Sequence, residues 1–581
     1  MNGRNLLAFS AFICALLHLA ISADIYACDN QVFCQGKILH EVQMAKIFAD
    51  AKTFVDMRMK HDITDITRNF TALGLKPSKE KIRKFVADNF SPAGEDLDPF
   101  DPEDLVEKPK RLKKIRDEKL RKFAFALNAL WKKLGRNITH EARVQSERSS
   151  LIIVPSPFIV PGGRFREYYY WDSYWILHGI LTCGMHETAK GMIMNYLDLV
   201  RRFGFVPNGG RIYYLNRSQP PFLIQMVDLY YSYTKDLDFV RKNLKILEKE
   251  YEFWEKHRTV SLNVSGVQHS FAIYNANMTT PRPESYWNDY EVGEKLTKQR
   301  MKWRFYQAVA SAAESGWDFS SRWFDQSDDE IGKFESIHTM KIIPVDLNSI
   351  LYKNAVTLSK FSGLTGDQSK SKKYQQLANR RWSAIEALLW NEAAGAWADY
   401  DVTVKSNTKA FYASVVVPLW AGLAQENATR QELVFQSMKR AKVLDFPGGF
   451  PTSLNLSGQQ WDYPNAWPPL QHMLIIGLAN CSSMVLQNEA KKLAQSWVLG
   501  NWKGYERTKY MFEKYNVTSQ GNTGRGGEYK PQVGFGWTNG VILDLLVRFP
   551  DIKIANNGIK FDVAMFLFWG LVTAPLLLNY L

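Results

Sequence analysis

The chain has 581 residues, 46% of them hydrophobic and 23% charged, a composition that supplies a large core and excludes a disordered or fibrous protein. Lys plus Arg number 73 against 59 Asp plus Glu, a formal charge of +14. The basic residues are scattered apart from the run 108–122 (KPKRLKKIRDEKLRK); no zinc, RNP or helix-turn-helix signature accompanies them, so the run reads as the solvated face of a helix and nucleic acid is not an expected partner.

From the amino end, Arg4 followed by an apolar stretch to Ile21, with Ser22-Ala23 behind it, has the form of a secretory leader over 1–23, the mature chain starting near Asp24. In that oxidising compartment four cysteines remain. Cys28 and Cys34 enclose a loop short enough to close locally, which predicts a disulfide; Cys183 and Cys481 stand in apolar contexts that suit either a bond or buried thiols. Nine Asn-x-Ser/Thr sequons suit glycosylation on the same route, with Asn216 set among residues that read as a pocket.

No Gly/Ser linker, low-complexity tract or short repeat marks a boundary inside the body, so a single domain over 24–555 is expected. Apolar residues recur at spacings of three and four over 192–203, 222–233, 237–256, 345–359, 372–390 and 411–423, which predicts helices there. Alternating strand patterns are few. Many helices joined by long loops rich in Gly, Pro and Trp point to an all-α helical toroid whose loops build a site at one end. At the carboxyl end, 561–581 is apolar except for Asp562 and follows Ala555-Asn556-Asn557-Gly558, so 556–581 reads as a membrane-attachment segment, either a GPI-attachment signal or a spanning helix.

The loops concentrate aromatic rings beside carboxylates and amides: 168–172 (YYYWD), 316–319 (GWDF), 461–463 (WDY), Glu528-Tyr529 and 535–537 (FGW). Pyranose rings offer C–H faces to aromatic planes while their hydroxyls need Asp, Glu, Asn, Gln and Arg partners, so this pairing suits a sugar pocket. His269, His338 and His472 are isolated, without metal-ligand spacing, and read as structural; no cofactor is expected. Neither a phosphate loop nor a G-x-S-x-G elbow is present.

The stretch 161–174 (PGGRFREYYYWDSY) and the stretch 460–469 (QWDYPNAWPP) resemble the two signatures of the trehalases, glycoside hydrolase family 37. Between and after them stand Asn208 in Pro-Asn-Gly, Arg217-Ser218-Gln219, Arg282-Pro283-Glu284, 314–323 (ESGWDFSSRW) and Glu528-Tyr529, in an ordered series over nearly the whole mature body. The resemblance implies an (α/α)6 barrel that splits α,α-trehalose into two glucoses with inversion. It implies Asp318 as general acid and Glu528 as general base, with Arg164, Phe165, Tyr169, Trp171, Asp172, Asn208, Arg217, Ser218, Gln219, Arg282, Pro283, Glu284, Gly316 and Trp461 around the substrate.

The residues agree with those roles. The apolar neighbours Trp317 and Phe319 favour a neutral Asp318, as an acid requires, and Gly526-Gly527 lets the backbone before Glu528 approach a substrate. The three arginines offer planar forks for carboxylates and hydroxyls. One departure is Arg525, a charged, Cβ-bearing residue inside the family's glycine run, which would stiffen the loop or add charge near Glu528. A non-catalytic sugar-binding surface protein would normally lack one of the two carboxyls, and a phosphorylase needs only the acid; both carboxyls are present.

Overall fold

The computed structural model describes residues 28–326 and 332–554. The expected leader and the carboxyl-terminal apolar segment lie outside the described residues.

Twelve helices alternate between an outer and an inner layer. The outer six are α1 (Glu118–Ala129), α3 (His186–Phe203), α5 (Leu237–His257), α7 (Gln368–Leu388), α9 (Ala428–Arg440) and α11 (Met484–Thr508). The inner six are α2 (Tyr170–Thr182), α4 (Leu223–Thr234), α6 (Val345–Leu364), α8 (Val417–Ala421), α10 (Pro468–Ala479) and α12 (Gly536–Arg548). Each inner helix packs on the next, and α12 returns to α2, closing an (α/α)6 barrel.

Sequence explains the layering. Every residue of α2 is buried, as are Pro468 to Leu478 of α10, because a helix apolar on all sides has to be enclosed by others. Helices α3 and α5 bury one stripe, including Met192, Ile193, Tyr196 and Leu197 in the first and Val240, Leu244, Leu247 and Tyr251 in the second. Each large apolar side chain so enclosed contributes about 1.5–3 kcal/mol. The closing contact depends on Gly540: a Cβ there would stand 1.9 Å from the Trp175 carbonyl oxygen, so only glycine lets α12 approach α2 this closely.

Two expectations are corrected. The segment 411–423 is not one helix; it enters extended at Tyr412, runs through a 3-10 turn (Ala413–Val416) and has only the five-residue α8 before Gly422 ends it at φ 89°. Pro418 lacks the N–H a longer helix would need, and three successive valines resist the helical rotamer. The basic run is likewise broken, since Asp117 accepts from the Leu120 N–H and caps α1. Upstream of it Leu112 and Ile115 are buried in a 3-10 turn and the sequence after it.

Strands are short, two to six residues each. The helices between Lys37 and Asn89 form a satellite core with Tyr169, Tyr213, Tyr214 and Tyr286. A buried ion network joins it to the barrel: Lys52 Nζ lies 2.5 Å from Asp56 and 2.6 Å from Glu167, and Arg211 lies 3.2 Å from Asp96. Cys28 and Cys34 are disulfide-bonded, whereas Cys183 and Cys481 are buried thiols. Of the histidines, His472 Nε2 is 2.9 Å from Asp544 in the barrel interior, where Arg548 supplies the counter-charge at 2.5 Å; His338 is 3.0 Å from Asp401.

Candidate active site

The site lies where the inner helices begin. Trp171 and Asp172 open α2, Gln219 precedes α4, Trp467 precedes α10 and Trp537 opens α12. Four further segments cover this end: the stretch around Arg217, the turn Pro283–Ser285, the chain after the helix Gln299–Glu314, and the glycine loop ending at Glu528. Together they line a cavity at this end of the barrel.

Asp318 and Glu528 both line that cavity. Burial, assisted by the charge of Glu528 and opposed by Arg282 and Arg217, pushes the Asp318 carboxyl up to about 7. Its segment is fixed through the backbone. Gln460 Nε2 donates to the Asp318 carbonyl (2.5 Å), Trp323 Nε1 to the Trp317 carbonyl (3.1 Å), and the Ser321 N–H to Asp462 (2.7 Å). Arg322, fully buried, forks onto both Asp346 and Asp399 at 2.7–2.9 Å and ties the same segment to the start of α6.

Glu528 is held through its side chain. Arg282 Nη2 donates to Oε1 at 2.9 Å and Ser285 Oγ to Oε2 at 3.0 Å. Burial raises its pKa, while Arg282 and Ser285 pull toward the carboxylate. The loop before it needs Gly526 and Gly527: both have positive φ (82° and 91°), and Cβ atoms there would meet the Gly458 carbonyl at 2.6 Å and Gln460 Oε1 at 2.7 Å. Arg525 needs no glycine. It has no positive φ, its side chain is exposed, and the Asn465 amide brackets its N–H and C=O at 2.8 Å each.

All three expected arginine forks engage carboxylates. Arg164 is bidentate to Asp50 (2.7 Å twice) and covers the Tyr529 ring; Arg217 pairs with Glu284 and reaches Asn208 at 2.7 Å; Arg282 is bidentate to Asp289 (2.6 and 2.8 Å) besides holding Glu528. Burial opposes ionisation of Glu284, but Arg217 and Arg282 outweigh it and lower its pKa. Arg217 Nη1 and Glu284 Oε2 are buried without a hydrogen-bond partner among the described residues, polar atoms that a ligand's hydroxyls can satisfy. Burial, assisted by the charges of Glu513 and Asp318, pushes the Asp172 carboxyl well above its ordinary value.

The remaining walls are aromatic. Trp461 stacks on Trp467 at 3.9 Å and on Trp317 at 5.4 Å, and Phe165 meets Tyr169, Tyr529 and Phe535 edge-on. Gly316 lets its backbone lie against Trp171, 2.6 Å from where its Cβ would be. Of the expected residues, Ser218 and Pro283 do not line the cavity: Ser218 bonds the Val206 carbonyl and Glu314, and the Pro283 carbonyl accepts from Gln43. The cavity adds Tyr214, Ser285, Trp467 and Glu513, none of which was expected as a ligand, and takes in Tyr529, Phe535 and Trp537 from the aromatic clusters. Glu513 carried one signal, a charged Glu-Lys pair inside the apolar run Met511 to Tyr515.

The sequence matches the trehalase family profile over residues 46–550. It is 45% identical to the trehalase of Apis mellifera over 568 residues, covering 96% of this chain and 91% of that one. It is 42% identical to the trehalase of Homo sapiens over 538 residues, 92% of each. Among solved structures, the neutral trehalase of Saccharomyces cerevisiae superposes with a TM-score of 0.53 at 25% identity over 67% of this chain and 73% of that one. With the barrel closed and the match running through the segments that wall the cavity, this chain is a glycoside hydrolase belonging to the trehalase family.

Proposed function

We propose that the protein hydrolyses α,α-trehalose to two glucose molecules with inversion, Asp318 acting as general acid and Glu528 as general base. The observation that carries this reading is one cavity holding two carboxyls in opposite settings, Asp318 kept toward its neutral form by burial and Glu528 bonded to a guanidinium. A proton passes from Asp318 to the bridging oxygen as the C–O bond breaks. Glu528 takes a proton from a water that attacks the same carbon from the opposite face. The attacked ring leaves as β-glucose and the other as α-glucose. Arg217 Nη1, Glu284 Oε2 and the Asp172 carboxyl supply the polar contacts, and the aromatic walls take the C–H faces.

The test joins stereochemistry to mutagenesis. Early proton NMR on trehalose should show one equivalent each of α- and β-glucose, and Asp318→Asn and Glu528→Gln should each lower kcat by about 10²–10⁴-fold with the fold retained. Two equivalents of α-glucose, or near-normal turnover in either variant, would reject the assignment. An extracellular location belongs to the same reading and is supported by the Cys28–Cys34 disulfide, since such bonds persist in oxidising compartments; amino-terminal sequencing of the mature protein checks it.

A further inference from the structure

Lys514 is a fully buried lysine just behind the cavity wall, and it is absent from the cavity lining. Its hydrogen-bond partners are neutral: Nζ donates to Gln460 Oε1 at 2.6 Å and to the Gly526 carbonyl at 3.3 Å, below the rings of Trp467 (5.0 Å) and Tyr529 (5.6 Å). Gln460 is itself buried, and its other amide atom is the donor to the Asp318 carbonyl. A continuous chain of hydrogen bonds therefore runs from the backbone of Asp318 through Gln460 and Lys514 to the backbone two residues before Glu528. An ammonium taken out of water costs several kcal/mol, which packing alone could avoid with an apolar residue of the same length.

We propose that Lys514 is a positioning residue that ties the segment bearing the acid to the glycine loop bearing the base, and so fixes the gap across which water and the glycosidic bond must fit. The inference rests on the acid and base roles given above. Geometry favours Lys514 over Asn465 as the link: Asn465 brackets Arg525 but reaches only the Gln460 main-chain carbonyl, whereas Lys514 joins the Gln460 side chain that holds Asp318. The charged and titratable groups facing the ammonium are Glu513 on its own segment, Asp318 across the chain of bonds, and the Tyr529 phenol, kept protonated by burial. Burial pulls the Lys514 pKa down to about 8 against the favourable charges of Glu513 and Asp318. The clamp thus has its cationic donor at neutral pH and weakens as pH rises through that value, when a charge-assisted donor becomes a neutral amine.

The experiment compares wild type with Lys514→Met, which keeps the length and apolar stem and removes the donor. Hydrogen exchange of residues 521–530 should accelerate at least tenfold while α2 and α12 keep their protection. On trehalose, kcat should fall about 10–100-fold with a smaller change in KM, the size expected of a small misplacement of reacting groups. Lys514→Arg, which restores a cationic donor, should recover part of both. Unchanged loop exchange together with wild-type kcat in Lys514→Met overturns the proposal. If the methionine variant does not fold, loop protection in wild type, corrected for intrinsic exchange, should drop between pH 7 and 9.5; a pH-independent value overturns the proposal equally. Loosened loops in Lys514→Met alongside active Asp318→Asn and Glu528→Gln would support the clamp and break the acid–base reading. An unaltered loop alongside inactive carboxyl variants would break the clamp alone.

Discussion

Asp318 and Glu528 are carboxyls facing the same cavity, yet the protein holds them by opposite ends. Around Asp318 the backbone is bonded by Gln460, Trp323 and Asp462, and Arg322 anchors the chain just beyond, while among the described residues no guanidinium is bonded to the carboxyl itself. Around Glu528 the side chain is gripped by Arg282 and Ser285, and the loop before it bends through two glycines of positive φ. Rigid backbone with an unpaired carboxyl favours a proton donor. A carboxylate bonded to a guanidinium and a hydroxyl favours a proton acceptor.

The sharpest way to break this contrast is at Arg282, which serves Asp289 with two bonds and Glu528 with a third. Lysine has no planar fork and cannot hold both carboxylates. Arg282→Lys should lower kcat/KM on trehalose by about 10²-fold or more, as loss of an oriented electrostatic contact does. Near-normal kinetics would show that Glu528 is positioned by the loop alone.

A smaller effect is expected from pH. The Asp318 pKa is raised from the ordinary aspartate value to about 7, so its proton persists to near neutrality and is lost as pH rises through that value. Activity needing that proton should fall tenfold per unit well above pH 7. The Glu528 pKa is also raised, so the acid limb should lie above the ordinary glutamate range. A kcat/KM profile whose alkaline limb lay below pH 5 would contradict the burial of the acid. The smallest effect is expected at Arg525. Its side chain is exposed and its backbone conformation ordinary, so Arg525→Gly should leave kcat/KM within about twofold; a larger change would mean that its charge reaches Glu528.

Much of the barrel was legible because apolar residues at spacings of three and four mark a buried helical face on outer and inner helices alike. The segments 192–203, 237–256 and 345–359 lie within longer barrel helices, 222–233 is offset by one residue from α4, and 372–390 runs two residues past the end of α7. Periodicity failed at 411–423, where an apolar repeat coincides with Pro418 and Gly422. In the site, aromatic and carboxylate clusters marked the loops that meet, but spacing could not tell which side of a loop faces inward. Ser218 and Pro283 sit within marked triplets and turn away, while Asp50 reaches Arg164 from 114 positions upstream with no motif of its own.

What the amino-acid sequence determined by itself was the helical class, the short Cys28–Cys34 loop and the clustering of aromatic rings beside carboxyls, because these depend on composition and on neighbours along the chain; the roles expected of Asp318 and Glu528 came from the resemblance to the trehalases. What only the tertiary structure decided was the pairing of each arginine with its carboxylate, the exposed placement of Arg525, and the line of bonds from Asp318 through Gln460 and Lys514 to the glycine loop. Those depend on groups 7 to 246 positions apart meeting in a buried space, where burial shifts the protonation of carboxyls such as Asp318 and a polar atom has to find its partner among whatever the fold brings to it.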